Sequence, residues 1–276
     1  MKKISILIAN YNNGKYFPDC FASLMNQTYN NWEAIIVDDC STDNSLEIIR
    51  ELIKDDGRFL LLQNSLNKGC GFTKRKCVEH ANGDICAFLD PDDALHPKAL
   101  EESIIPYHST SNIVATYSKM MLCDEKLTSK EIFSSTKQIV NDRYFFNCPI
   151  QFAHFFTFRK DIYLKTSGIN PNLKSAVDQD LYLKILELGE VKFIKKVLYK
   201  YRLHDGGISQ HTGKKAAKNS FALIIHETMK RRNINYINHC KVPEDFTDAD
   251  EIFSFLNYQT ELSYRLKMKL KLLFGL

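Results

Sequence analysis

The sequence predicts an α/β fold built on a largely parallel central sheet. Over the first hundred residues, short apolar runs of strand length alternate with helical patterns, as βαβ units require. Acidic clusters follow two of those runs, where a parallel sheet offers its ligand edge. The 276 residues suffice for one large α/β domain with an appendage, or for two small domains. With 44% hydrophobic and 25% charged residues the chain can bury a sizeable core. A net charge of +4, from 37 basic and 33 acidic residues, is too weak and too mixed to point to nucleic acid.

Each element follows in chain order. Ile4–Ala9 reads as a buried strand, and Lys15–Gln27 follows with Phe17, Phe21, Leu24 and Met25 at helical spacing. Glu33–Val37 is the next strand and ends at Asp38-Asp39. Ser41, Thr42 and Asp43 offer N-caps for a helix to about Lys54, with Leu46, Ile49 and Ile53 on one face. Phe59–Leu62 is a third strand, and Thr73–Asn82 a helix closed by Gly83. Asp84–Leu89 is a fourth strand, ending at Asp90-Pro91-Asp92-Asp93.

Beyond residue 100 the pattern loosens. Asn112–Leu122 reads as a strand, Glu125–Asn141 as a polar excursion and Phe152–Phe158 as an aromatic strand. Asp178–Leu188 is a helix stopped by Gly189, and Val191–Tyr201 is a long strand or a strand pair. Lys214 opens a helical, basic region without strand signal, so a boundary is expected near residue 213. The expected division is 1–213 as the main domain, with halves 1–105 and 106–213, and 214–276 as a helical extension. The eight cysteines form no C-x-x-C pair, which favours buried free thiols in a reducing compartment over disulfides or a zinc site. The apolar run after Met1-Lys2-Lys3 is too short for a signal peptide, and no stretch has the length of a spanning helix.

The acidic clusters carry the chemistry. Carboxylates crowded at Asp90–Asp93 repel one another unless water or a cation neutralises them. They read either as a Mg²⁺ or Mn²⁺ site bridging a diphosphate, or as a solvated turn before the helix at Pro97. Asp38-Asp39 is either a turn-and-cap pair or a carboxylate that accepts from a ribose hydroxyl or a base imino group. Asp178 and Asp180 either satisfy the dipole of the helix they open or supply a general base. Tyr199–His204, with Gly206, Gly207 and Ser209, is either an ordinary surface loop or one that closes over phosphate. Gly69-Cys70-Gly71 lacks the spacing of a dinucleotide fingerprint, but Lys74, Arg75 and Lys76 put cations near a strand end.

The order of these segments is more specific than any one of them. Tyr11-Asn12, Ser23–Tyr29, Trp32–Asp43, Asn67-Lys68-Gly69 with Arg75, and Ala81–Asp93 together resemble glycosyltransferase family two of the GT-A fold. The likeness is dense over residues 3 to 105 and resumes at Phe158–Lys160, Gly168, Val177–Lys184 and Leu198–Ser209. It implies an inverting, metal-dependent enzyme that uses a nucleotide-sugar, with UDP favoured and Mn²⁺ or Mg²⁺ as cofactor. Tyr11 and Asp39 would hold the base, with Ala9 and Asp38 beside them and Arg75 on the nucleotide side. Asp90 would face the ribose, Asp92 and Asp93 the diphosphate and metal, and His204 the diphosphate. Asp178 matches the catalytic base, with Val177 where the family has an acid and Asp180 as the fallback.

The implied acceptor is a glycan or a lipid-linked oligosaccharide of surface polysaccharide or lipopolysaccharide assembly, handled in the cytoplasm. A stripe from Ile252 through Phe255, Leu256, Leu262, Leu266, Leu270 and Leu273, among Arg265, Lys267, Lys269 and Lys271, either lies on an anionic membrane or packs on protein. Two other readings stay open: a nucleotidyltransferase making sugar nucleotides, whose Gly-rich loop Asn10–Gly14 does not supply, and a non-catalytic sugar-nucleotide-binding relative.

Overall fold

The structure is a computed structural model that describes residues 2–109, 112–204, 206 and 214–274. The first half alternates strand and helix. In order come β1 (Ile4–Asn10), α1 (Phe17–Met25), β2 (Trp32–Asp38), α2 (Ser45–Ile53), β3 (Phe59–Gln63), α3 (Cys70–His80) and β4 (Ile85–Phe88). The second half is more mixed: β5 (Ala94–Leu95), α4 (Ala99–Ile104), α5 (Pro106–Ser109), β6 (Ile113–Cys123), β7 (Ser129–Ile132), β8 (Phe156–Arg159), α6 (Lys160–Tyr163), α7 (Val177–Leu186) and β9 (Glu190–Arg202). The C-terminal part holds α8 (Lys214–Arg231), the short hairpin β10 (Tyr236–Ile237) and β11 (Cys240–Lys241), α9 (Ala249–Ser254) and α10 (Leu262–Phe274).

Strands β1 to β9 form one sheet in the order β3-β2-β1-β4-β8-β6-β9-β5, with β7 beside β6. Strands β1 to β4 pair in parallel, because a crossover helix joins each to the next. In the other half β8 runs antiparallel between β4 and β6, and β6 pairs with β9 in parallel. The two sheet faces carry separate cores. Leu7, Val37, Cys77, Phe158 and Leu181 pack on one, and Ile6, Ile8, Phe17, Ile49 and Leu100 on the other. The alternation of Ile6, Leu7 and Ile8 between the two follows from the period-two pleat of a strand buried on both faces.

The chain leaves β1 for β2 and β3 on one side, then returns to β4 on the other. Beyond the ends of β1 and β4 the connections diverge, which opens a crevice where ligands of such sheets sit. A third core joins Phe146 to Ala222, Ile225, Met229, Ile237, Ile252 and Leu256. Arg232 fixes α8 to the main body by donating to the carbonyls of Arg143 and Phe145 and pairing with Glu187.

Three expectations differ from the structure. The aromatic run is a strand only over Phe156–Arg159. Ahead of it the Asn147 amide donates to the Phe152 carbonyl and accepts from the backbone N–H groups of Gln151 and Phe152, which holds that segment as a buried loop. The basic region contains the β10–β11 hairpin, although the sequence carries no strand signal there. The tail stripe is not one helix: α9 and α10 are separated by a 3₁₀ turn at Asn257–Thr260 and an extended Glu261. Among the described residues no helix is long and apolar enough to cross a membrane.

Candidate active site

The crevice is a cavity of about 200 Å³ lined by Ala9 at the end of β1, Asp90–Asp93 after β4, Cys70 and Lys74 on α3, His154, and Lys174–Asp178 leading into α7. Asp92 and Asp178 therefore face one space, although 86 positions separate them in the chain (178 − 92). Ligand pockets commonly measure ~300–1,000 Å³. The cavity is smaller than that range, so it suits part of a drug-sized ligand rather than the whole of one. Tyr11, 43% exposed, lies outside its lining.

At its centre sits Lys74. Its Nζ lies 2.8 Å from Asp178 Oδ1, 3.1 Å from Asp90 Oδ1, and 5.1 Å from the centre of the Phe88 ring. Burial opposes the ammonium charge, but Asp178 and then Asp90 outweigh it and raise the Lys74 pKa well above its ordinary value. The same contacts act on Asp178: burial favours its neutral form, Lys74 and then His154 oppose this, and the net pKa is lowered. Asp178 is accordingly ionised at neutral pH. The His154 ring stacks on Tyr199 at 4.8 Å, with Nε2 3.9 Å from Asp178 Oδ2. Cys70 shares the lining, but burial pushes its thiol up to about 12, so it is not a thiolate nucleophile.

The acidic turn divides by depth. The carboxylate of Asp92, 20% exposed, meets His204 Nε2 at 2.7 Å, and the His204 ring packs on Tyr16. Asp93 lies behind it, 1% exposed. Its Oδ2 accepts from the Tyr199 hydroxyl at 2.7 Å and its Oδ1 from the Arg202 backbone N–H at 2.7 Å. Burial, then Asp92 and Asp90, push the Asp93 pKa well above the ordinary carboxylate value. Asp93 therefore ties the turn to β9, and both of its carboxylate oxygens, which the sequence reading expected at a metal, already accept hydrogen bonds. Arg202 completes the anchor: its guanidinium donates to the Asp92 and Glu125 carbonyls and pairs with Asp19.

The remaining candidates lie around the crevice. Asp38 is fully buried, with its carboxylate accepting from the Asn10 amide and from the hydroxyl and backbone N–H of Ser41. Asp39 accepts from the Asn64 amide and the backbone N–H groups of Lys68 and Gly69, which fixes the loop entering α3. Arg75 is turned away from the cavity, donating to the Ser167 and Ile169 carbonyls and pairing with Glu79. On α3 the cation that lines the cavity is Lys74, one residue earlier. Asp180 pairs with Lys184 and accepts from the Asn170 backbone N–H, so it braces a loop and does not reach the cavity lining. Gly207 and Ser209 lie outside the described residues.

Sequence reasoning alone misses His154; it names Lys74 only as one of three cations near a strand end, and Tyr199 and Arg202 only within a loop segment, without their contacts to Asp178, Asp90 and Asp93. A signal for Lys74 is present. Cys70, Lys74, Cys77 and Ala81 fall at i, i+4, i+7 and i+11, so the buried stripe of α3 passes through Lys74 and not Arg75. For metal, Asp90, His154 and Asp178 bring one donor atom each to within 4.8 Å of one another. The Lys74 ammonium already pairs with both carboxylates of that group.

Comparison with known proteins adds an independent line. The profile described as Glycosyl transferase family 2 matches residues 5–166, more than half of the chain. Hyaluronan synthase of Pasteurella multocida is 28% identical over 94% of the chain, but the chain spans only 26% of that protein's length. The putative glycosyltransferase EpsH of Bacillus subtilis is 28% identical, covering 97% of the chain and 81% of the relative. Among solved structures, residues 1–349 of Staphylococcus aureus TarS in complex with UDP-GlcNAc superpose with a TM-score of 0.68 and 21% identity, over 93% of this chain and 72% of that one. At that identity the likeness speaks for the GT-A fold.

Proposed function

The chain belongs to glycosyl transferase family 2, and from that premise we propose that it is an inverting transferase in surface polysaccharide assembly. It moves a hexose or N-acetylhexosamine from a UDP-sugar to a hydroxyl of a glycan or lipid-linked acceptor, at the cytoplasmic side of the plasma membrane. The observation that carries this reading is the shared cavity, whose lining includes both Asp92 and Asp178. The UDP-GlcNAc bound to TarS supports the choice of UDP. The division at residue 213 into a GT-A domain and a helical extension belongs to the same proposal, and the third core, built mostly from residues after 213 around Ile225 and Ile252, supports it.

In this reading Asp178 takes the proton of the acceptor hydroxyl. That oxygen attacks the anomeric carbon from the face opposite the departing UDP, so the configuration inverts. Lys74 keeps Asp178 ionised before the acceptor arrives and holds Asp90 beside it. The base and ribose lie over Tyr11 and the ends of β1 and β2, near Asp38 and Asp39, outside the cavity proper. A divalent cation would be held at Asp92, with the His204 imidazole, now hydrogen-bonded to that carboxylate, as a second donor, because Asp93 is engaged elsewhere and Lys74 supplies the charge between Asp90 and Asp178. A bound Mn²⁺ or Mg²⁺ would supply charge stabilisation for the leaving diphosphate.

A thermal-shift screen of nucleotides and sugar nucleotides, with and without Mn²⁺, tests the assignment, because a ligand that binds only the folded state raises the melting temperature. UDP and one UDP-sugar should stand out with Mn²⁺, and Asp92→Asn should lose that increment. An unchanged melting temperature with every nucleotide diphosphate would refute the reading.

A further inference from the structure

A second cleft lies between α10 and the segment 137–151. Three cations border it, Lys137, Arg265 and Lys269, above an apolar floor that includes Phe145, Met268 and Leu272. None of the three makes an ion pair with an acid among the described residues, whereas the neighbouring Lys271 pairs with Asp142. Burial, then the charges of Arg265 and Lys269, hold the Lys137 ammonium below its ordinary value. The three charges work against one another, and an anion between them would relieve that repulsion.

Helix α10 has a second unusual face. It has no buried residue along its 13 positions. Leu262, Leu266, Leu270 and Leu273, at i, i+4, i+8 and i+11, form a stripe exposed by 70, 50, 53 and 77%. By helical phase, Arg265 and Lys269 fall on the edge of that stripe nearest the cleft. Apolar side chains flanked by cations, beside a basic cleft with an apolar floor, match one surface: a bilayer that presents acyl chains and lipid phosphate together. A symmetric contact with a second copy through this helix would add no acid to pair Arg265 and Lys269, since α10 carries none, which disfavours that occupant.

We infer that α10 docks this protein on an anionic phospholipid bilayer, with the leucine stripe at the acyl boundary and a lipid phosphate in the Lys137–Arg265–Lys269 cleft. The inference is independent of the transfer chemistry, since docking is read without donor or acceptor. The full chain is sedimented with phosphatidylcholine vesicles with and without phosphatidylglycerol. It should bind only the phosphatidylglycerol vesicles, and salt should weaken the binding. Lys269→Ala should lower the partition about fivefold, the effect of one cation near such a surface. Leu266→Asp with Leu270→Asp should abolish binding while leaving the melting temperature and UDP-sugar hydrolysis unchanged. Absence of vesicle binding, or equal binding to both vesicle types, overturns the inference. So does binding of a soluble uronic-acid polysaccharide that needs Lys269 but not the leucines. A dimer seen by light scattering and lost in the leucine variant also overturns it, in favour of a second copy.

Discussion

Replacing Lys74 with methionine keeps the length of the side chain and removes its charge. Asp178 and Asp90 then lose the ammonium at 2.8 and 3.1 Å. Breaking a buried ion pair from one side costs about 3–5 kcal/mol, because the partner charge is left without compensation. Here the carboxylates retain 27 and 26% side-chain exposure, so water recovers part of the loss. About 2–3 kcal/mol of destabilisation is expected, or roughly 5–10 °C in melting temperature for a chain of this size. The pH dependence has a definite sign. The Asp178 pKa is lowered in the fold, so its contribution is full above the ordinary carboxylate range and is lost as pH falls through the lowered value. The Lys74 pKa is raised, so its contribution is full below the ordinary lysine value and is lost as pH rises through the raised one. The gap between wild type and Lys74→Met should therefore be widest around neutral pH and close in acid. Differential scanning fluorimetry on wild type, Lys74→Met, Asp178→Asn and the double variant measures the coupling directly. The double variant should melt above Lys74→Met, since a neutral amide at position 178 leaves no bare charge there. Strict additivity, or a Lys74→Met protein that melts with the wild type, would refute the ion-pair account.

Three further outcomes follow from the same geometry. Arg75→Ala should leave the KM for donor within about twofold of wild type and cost about 1 kcal/mol of stability, as the loss of exposed hydrogen bonds predicts; a chemical melt and donor kinetics check both. Gly71→Ala should destabilise by at least about 1–3 kcal/mol, because its Cβ would lie 2.5 Å from the Asn170 carbonyl oxygen and 2.7 Å from that of Leu173, and neither backbone can yield cheaply. In a urea melt it should move the midpoint without changing the slope. Chelation by EDTA, or His204→Ala, should weaken UDP binding to a similar extent in titration calorimetry, and EDTA should add little to the variant.

The sequence made the parallel half of the sheet legible because β1, β2 and β4 are short, largely apolar and punctuated by Asp or Gly. The second half was harder for physical reasons. β5 is two residues long and β7 is fully exposed, so neither produces an apolar run. Phe152 and Phe155 are fully buried without being in a strand, which is why hydrophobicity alone overstated β8. In the tail Ile252 and Leu256 are buried while Leu262 onward is exposed, although all share one helical stripe; periodicity does not register the break at Glu261. The site divided similarly. That Asp92 and Asp178 border one cavity was legible because each ends or begins an element at the ligand edge. The partners of Asp93 and Arg75 were not legible, because their side-chain directions depend on Tyr199, Arg202 and the carbonyls of residues 167 and 169, none of which neighbours them in sequence.

The central claim is that one carboxylate accepts the proton while another part of the cavity lining grips the diphosphate. Asp178→Asn separates the two: UDP affinity with Mn²⁺ is measured by calorimetry beside transfer from the best donor. Retained affinity with turnover reduced by at least about 10²–10⁴-fold is the expected result. Turnover near the wild-type level would place the proton acceptor elsewhere and contradict the mechanism derived from this cavity.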